Sequence, residues 1–197
     1  MDRLGAVQKV ISLDEVSELG ARCRSEGLRI VSTNGCFDLL HAGHVRFLAQ
    51  ARALGDLLVV GLNSDASITQ LKGVGRPVVP QAQRVEVLAA LESVDYVHVF
   101  DDLTPVRFLE RLQPDVHCKA ADYSEEDLPE RDTVLEGGGA VRILPLTEGL
   151  STSRLIERVV SSLAKEEAIG ETVEAMDGRA VLSQLLDGAN VIRQTAY

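Results

Sequence analysis

The chain has 197 residues, 45% apolar and 25% charged, with a net charge of −10. That is enough for one α/β domain with a buried core and a short appendage. The negative balance speaks against sequence-independent nucleic-acid binding, which neutralises many phosphates with Lys and Arg, and no apolar run approaches the ~18 residues of a membrane-spanning helix.

The start, "MDRLGAVQKVISLDEV", lacks a basic, apolar, small-residue leader pattern. A cytoplasmic location is therefore expected, with no nucleic acid and no membrane among the partners. "SLDEVSELGARCRSEG" opens with Ser12 three residues before Glu15, a capping-box spacing, carries Val16, Leu19 and Cys23 on one helical face, and stops at Gly27. "LRIVST" then reads as a first strand. "HVRFLAQARALG" has helical periodicity ending at Gly55, and "DLLVVGLN" is the continuous apolar run of a strand covered on both faces. Beyond it come a helix in "PQAQRVEVLAALESV" with Pro80 in its first turn, a strand in "DYVHVF", a helix in "TPVRFLERLQ" and a strand in "DVHCKA". A helical stretch from about Glu125 to Glu136 leads into the strand "AVRILPL", and "STSRLIERVVSSLAKEE" is a further helix.

Five strands alternating with helices predict a doubly wound, Rossmann-like five-stranded parallel sheet with helices on both faces, over residues 1–165. Residues 166–197 read as a helical C-terminal appendage. There Val181, Leu182, Leu185 and Leu186 form one apolar face, for packing on the domain or on a second subunit. Cys23, Cys36 and Cys118 are odd in number and widely spaced, which suits small apolar residues better than disulfides or a zinc cluster.

"TNGCFDLLHAGH", Thr33 to His44, follows the first strand directly and ends where a helix begins. His41 and His44 therefore stand at the carboxyl edge of the sheet, near unpaired backbone N–H groups suited to anions. Zinc is a rival, but no carboxylate or cysteine in register completes a ligand set, so no metal site is predicted. Core packing is the other rival, and two polar rings flanking Gly43 fit a core poorly. Gly43 has a purpose if something approaches the backbone closely. Phosphate binding is the reading that the spacing favours.

"HAGH" resembles the HxGH signature of the nucleotidyltransferase superfamily, and the surrounding stretch resembles its cytidylyltransferase-like branch. "STSR", Ser151 to Arg154, is similar to the second motif of that superfamily. From about Val10 to Val160 the chain is more similar still to the adenylyltransferase domain of ADP-heptose synthases, through "NSDASITQLKGVGRPVVPQAQRVEVLAALESVDYVHVF" and "FDDLTPVRFLERLQPDVHCKAADY". The glycerol-3-phosphate cytidylyltransferases are the second resemblance. They carry an arginine where this chain has Leu146 before "TEGLST". The heptose group usually reads KGGDY where this chain has "KAADY", Lys119 to Tyr123, and often has asparagine where Arg154 stands. The sugar-kinase domain fused to many relatives does not appear in this sequence, so the sugar phosphate is expected from a separate enzyme.

The resemblance implies transfer of AMP from ATP to D-glycero-β-D-manno-heptose 1-phosphate, giving ADP-heptose and pyrophosphate, with Mg²⁺ accompanying ATP and a homodimer as the assembly. The alternatives are a cytidylyltransferase acting on glycerol or amino-alcohol phosphate, and a nucleotide-binding module without turnover. By the same resemblance His41, His44 and Lys72 act on the triphosphate, Lys72 from the loop after the second strand. The nucleotide would be held by Asn34, Gly35, Cys36, Phe37, Gly43, Lys119, Asp122, Ser151, Thr152 and Ser153. Arg84 and Asp38 belong on the substrate-phosphate side, Asp38 chiefly by accepting backbone N–H bonds that orient the loop. A solvated lysine and an exposed helix arginine are the plain alternatives for Lys72 and Arg84. His98 is assigned to packing, and His117 to packing or the edge of the nucleotide pocket.

Overall fold

Ser12 accepts the Glu15 N–H while Glu15 accepts the Ser12 N–H, so the capping box forms, and Gly27 closes the helix in the left-handed conformation at φ 70°. In the computed structural model, residues 6–121, 125–145 and 149–162 are described. They include α1 (Leu13–Glu26), β1 (Ile30–Gly35), α2 (Ala42–Arg52), β2 (Leu57–Asn63), α3 (Asp65–Lys72), α4 (Gln81–Ala90), β3 (Tyr96–Phe100), α5 (Val106–Leu112), β4 (Val116–Ala120), α6 (Arg131–Glu136) and β5 (Ala140–Leu144). A further helix covers residues 152–162. The chain divides into two compact units, Met1–Thr152 and Ser153–Tyr197. The expected boundary at 165/166 and the apolar face around Val181 to Leu186 lie outside the described residues.

All strand pairs are parallel, in the order β3-β2-β1-β4-β5. Side-chain alternation sorts this sheet into two cores. Val31, Leu58, Val60 and Leu62 pack with Phe47, Leu48 and Ala51 of α2 and Leu88 and Ala89 of α4. Ile30, Leu57 and Val59 point the other way, onto Val16, Leu19 and Cys23 of α1, Phe108, Leu109 and Leu112 of α5, and Val134 of α6. The expected doubly wound sheet with helices on both faces is therefore present.

Three aspartates set the register at the amino edge. Asp56 accepts the Arg29 N–H, Asp115 the Ile30 N–H and Asp95 the Leu58 N–H, each at 2.7 Å. These charge-assisted bonds tie the beginning of each strand to its neighbour. They also keep carboxylates at the edge opposite the strand ends where β1 gives way to the histidine loop.

Several boundaries differ from expectation. Helix α3 was not anticipated, although "NSDASITQLKG" carries its signals: Ser64 caps the Ser67 N–H and Gly73 ends the helix. Lys72 is thus the last residue of a helix and not a loop lysine. Pro80 is the residue before α4. The stretch Glu125–Glu136 is split into a 3-10 turn (Glu125–Asp127) and α6, with Pro129 between them. Proline lacks the N–H that a continuous helix would need there.

Candidate active site

A doubly wound sheet opens a crevice where its strand order reverses, and here that switch point lies between the carboxyl ends of β1 and β4. A cleft of about 490 Å³ occupies it. Asn34, Gly35, Cys36, Phe37, Asp38, His41, Gly43, His44, Lys72, Lys119, Ser151 and Thr152 all line this cleft. Asp122 lies outside the described residues, and Ser153 begins the second unit.

The two histidines cap helix α2 with their own rings. His41 Nδ1 accepts the Gly43 N–H at 3.1 Å, and His44 Nδ1 accepts the His41 N–H at 3.3 Å. A backbone N–H can only donate, so each ring is neutral with its proton on Nε2, the nitrogen left for the cleft. Burial pulls the pKa of His41 down; burial, then the His41 ring and the Lys72 ammonium, pulls His44 from 6.5 to about 4. The ring centroids are 4.0 Å apart. Two uncharged N–H donors therefore stand side by side at a helix N-terminus.

Gly43, which lines the cleft, also makes room for the His41 ring. A Cβ there would lie 2.8 Å from His41 Cε1 and 2.9 Å from His41 Nδ1. The space a side chain would need is taken by the His41 ring.

The preceding loop is strained and firmly held. Phe37 and Leu39 adopt positive φ, 45° and 52°, a region costly for branched or bulky residues. Asp38 is buried and accepts the Val78 and Val79 N–H groups at 2.9 Å each and Arg76 Nε at 2.8 Å. Burial alone would raise its pKa; the two N–H bonds and Arg76 outweigh that and hold it lowered. It accepts backbone N–H bonds, though from Val78 and Val79 in the segment after Lys72 and not from its own turn. Thr152 Oγ1 donates to the Asp38 carbonyl at 3.1 Å, tying the Ser151–Thr152 turn to the same loop.

Arg84 requires a correction. It does not line the cleft and is 1% exposed, so it is neither a phosphate contact nor an exposed helix arginine. Its guanidinium donates to the carbonyls of Cys36 (2.6 Å), Asn63 (2.9 Å) and Val79 (3.0 Å) and pairs with Asp65 at 2.7 Å. Its planar fork gathers the ends of β1 and β2 and the starts of α3 and α4. His98 packs on Phe108 with centroids 5.6 Å apart and contacts the Ile11 carbonyl at 3.0 Å. His117 is fully buried beside Ser32 (2.8 Å) and does not reach the cleft wall.

Sequence reasoning missed Glu130, Arg76 and Asn63, all of which line the cleft. Glu130 is 1% exposed and pairs with Lys119 at 3.0 Å, while Lys119 donates to Asn34 Oδ1 at 3.0 Å. Nothing local flags Glu130, one acidic residue in an acidic stretch. Arg76, two residues before Val78, could have been suspected as a partner for Asp38.

Among the described residues no group of three or more His, Cys, Asp or Glu is placed to hold a metal ion, and no helix is long and apolar enough to cross a membrane. The cleft carboxylates Asp38 and Glu130 are each committed to cations of the chain.

Sheet order, switch-point cleft and histidine-capped helix together define a Rossmann-like nucleotidyltransferase fold. A model of the cytidylyltransferase-like family matches residues 32–158, and the chain belongs to that family. It is 49% identical over 154 residues to the bifunctional protein HldE of Citrifermentans bemidjiense, covering 78% of this chain and 32% of that protein. With HldE of Koribacter versatilis it is 48% identical over 153 residues, again covering 78% and 32%. The chain thus spans about a third of the length of the curated relatives it matches. The lipopolysaccharide core biosynthesis protein of Thermoplasma volcanium shares the fold, with a TM-score of 0.52, 24% identity and coverage of 61% of this chain and 98% of that one.

Proposed function

We propose that the protein is an adenylyltransferase that joins AMP from ATP to D-glycero-β-D-manno-heptose 1-phosphate, releasing pyrophosphate. The observation that carries the reading is the pair of neutral Nε2–H donors of His41 and His44, capped onto α2 in a cleft that Lys72 also lines. The likeness to HldE proteins supports the heptose class.

A sugar-phosphate oxygen attacks the α-phosphorus in line; the new P–O bond forms as the bond to the bridging oxygen breaks, and pyrophosphate leaves with that electron pair. An ionised phosphate needs no general base, so the protein's task is positioning and stabilising displaced charge. His41 and His44 would donate to triphosphate oxygens as that charge grows, and Lys72 would bridge the attacking and attacked phosphates. Backbone N–H groups from Asn34 to Phe37 and around Ser151 would add donors. Mg²⁺ would arrive with ATP and be held by phosphates and water, which suits a cleft whose own carboxylates are already paired.

ATP is expected to exceed CTP in kcat/KM. Incubating the protein with Mg²⁺, each of the four nucleoside triphosphates and a panel of sugar 1-phosphates, and measuring pyrophosphate, tests the reading. A preference for CTP with glycerol phosphate would replace it by a cytidylyltransferase, and nucleotide binding without pyrophosphate by a non-catalytic module.

A further inference from the structure

Parallel pairing sets Ser32 opposite His117 and Thr33 opposite Cys118. Asn34 and Lys119 come one residue later on their strands, so period-two alternation returns them to the face that carries Ser32 and His117. Glu130, in the turn before α6, sits beneath this face, with Oε1 at 3.0 Å from Lys119 Nζ and 3.6 Å from His117 Nε2. An ammonium can only donate, so Lys119 faces the Asn34 oxygen and fixes which way that amide is turned. Asn34 lines the cleft, and with Oδ1 taken by Lys119 its Nδ2 is the end of the amide that can donate.

A buried ion pair contributes little net stability, because desolvation offsets its attraction. What it supplies is direction. We propose that Glu130 is a positioning residue, which through Lys119 holds the Asn34 amide so that its N–H donors face a phosphate oxygen of the bound nucleotide at the switch point. Glu130 touches no reacting atom in this scheme. Burial pushes its carboxyl pKa up, but His117 and Lys119 outweigh that and lower it to about 2, so the carboxylate is present throughout the working pH range. The proposal rests on the reading of the cleft as a nucleotide site.

The test is a double-mutant cycle of Glu130→Gln, Lys119→Met and the double variant. Each is measured for kcat/KM in pyrophosphate release, for ATP affinity by calorimetry and for Tm. If Glu130 acts through Lys119, each single change should lower kcat/KM about tenfold, and the double variant should lose about the same tenfold, because the second change removes a link already broken. Should a single variant fail to fold, the double variant, with neither buried charge left alone, still carries the comparison with wild type. Wild-type kcat/KM in folded Glu130→Gln or in the double variant, or single losses that multiply to about a hundredfold in the double, would overturn the proposal. If wild type binds ATP but releases no pyrophosphate with any acceptor, the transferase reading falls and the cycle is judged on ATP affinity. There the same non-additive weakening supports the positioning role, and unchanged affinity overturns it. A wild-type protein that does not bind ATP overturns both.

Discussion

Arg84 donates to the carbonyl of Cys36 at 2.6 Å, across 48 residues of chain, and so the strained loop ahead of the histidines is held from inside the protein. That bond gives the arginine a different consequence from a substrate contact. Arg84→Ala leaves the carbonyls of Asn63, which is buried, and of Cys36 and Val79, which are half-buried, without their donor and should lower stability by roughly 3–5 kcal/mol, more than a surface change would. Urea unfolding measures this; an unchanged midpoint together with a raised KM would return Arg84 to a phosphate-binding role.

His41→Ala and His44→Ala should each lower kcat about a hundredfold, the scale of losing one donor to transition-state charge. Because each ring also accepts a backbone N–H at the start of α2, each change should also cost about 1 kcal/mol of stability, the usual value of an N-terminal cap. Turnover of folded His44→Ala at saturating ATP decides the matter, and a near-wild-type rate would remove the main support for the mechanism.

Gly43→Ala probes the same pair without replacing either ring. The added methyl would fall 2.8 Å from His41 Cε1, so the ring must move. Activity should drop roughly tenfold to a hundredfold, since a misplacement near 1 Å is costly for preorganised donors. Steady-state kinetics on the variant, with circular dichroism to verify folding, is the check; wild-type kinetics would mean that the position of the His41 ring is unimportant.

Lys72 is exposed at the end of α3, so Lys72→Met should leave Tm within a degree or two of wild type, as surface changes usually do. Turnover should fall about a hundredfold or more if the ammonium bridges the reacting phosphates. A solvated lysine would instead give unchanged kinetics.

All four histidines have depressed pKa values, His44 falling from 6.5 to about 4, with burial as the leading cause. Below pH 6.5 the unfolded chain therefore binds protons that the folded chain refuses. Stability from this source is fully present above 6.5 and is lost as pH falls toward the folded values. Glu130, lowered from 4.5 to about 2, acts in the same direction over a lower window, between pH 4.5 and 2. Urea midpoints measured from pH 7 to pH 4 should fall less steeply in His44→Gln than in wild type. Parallel curves would contradict a neutral, buried His44.

The sequence alone determined the five strands, most of the helices and their order, because period 2, period 3.6, caps and glycine stops are local properties; α3 carries such signals in Ser64 and Gly73 yet went unread. It also located the turn from Asn34 to His44, whose residues fit a strand end followed by a helix start. What it left open are relations between distant residues. Glu130 meets Lys119, and Lys119 meets Asn34, only because β4 is laid beside β1 and the turn before α6 folds beneath both. Arg84 lies on an ordinary amphipathic helix, and only packing against the ends of β1 and β2 turns it inward. That a side chain at Gly43 would collide with the His41 ring is likewise visible only in three dimensions. Tertiary structure decides such points because burial and pairing depend on which surfaces the sheet brings together, and no local pattern records that.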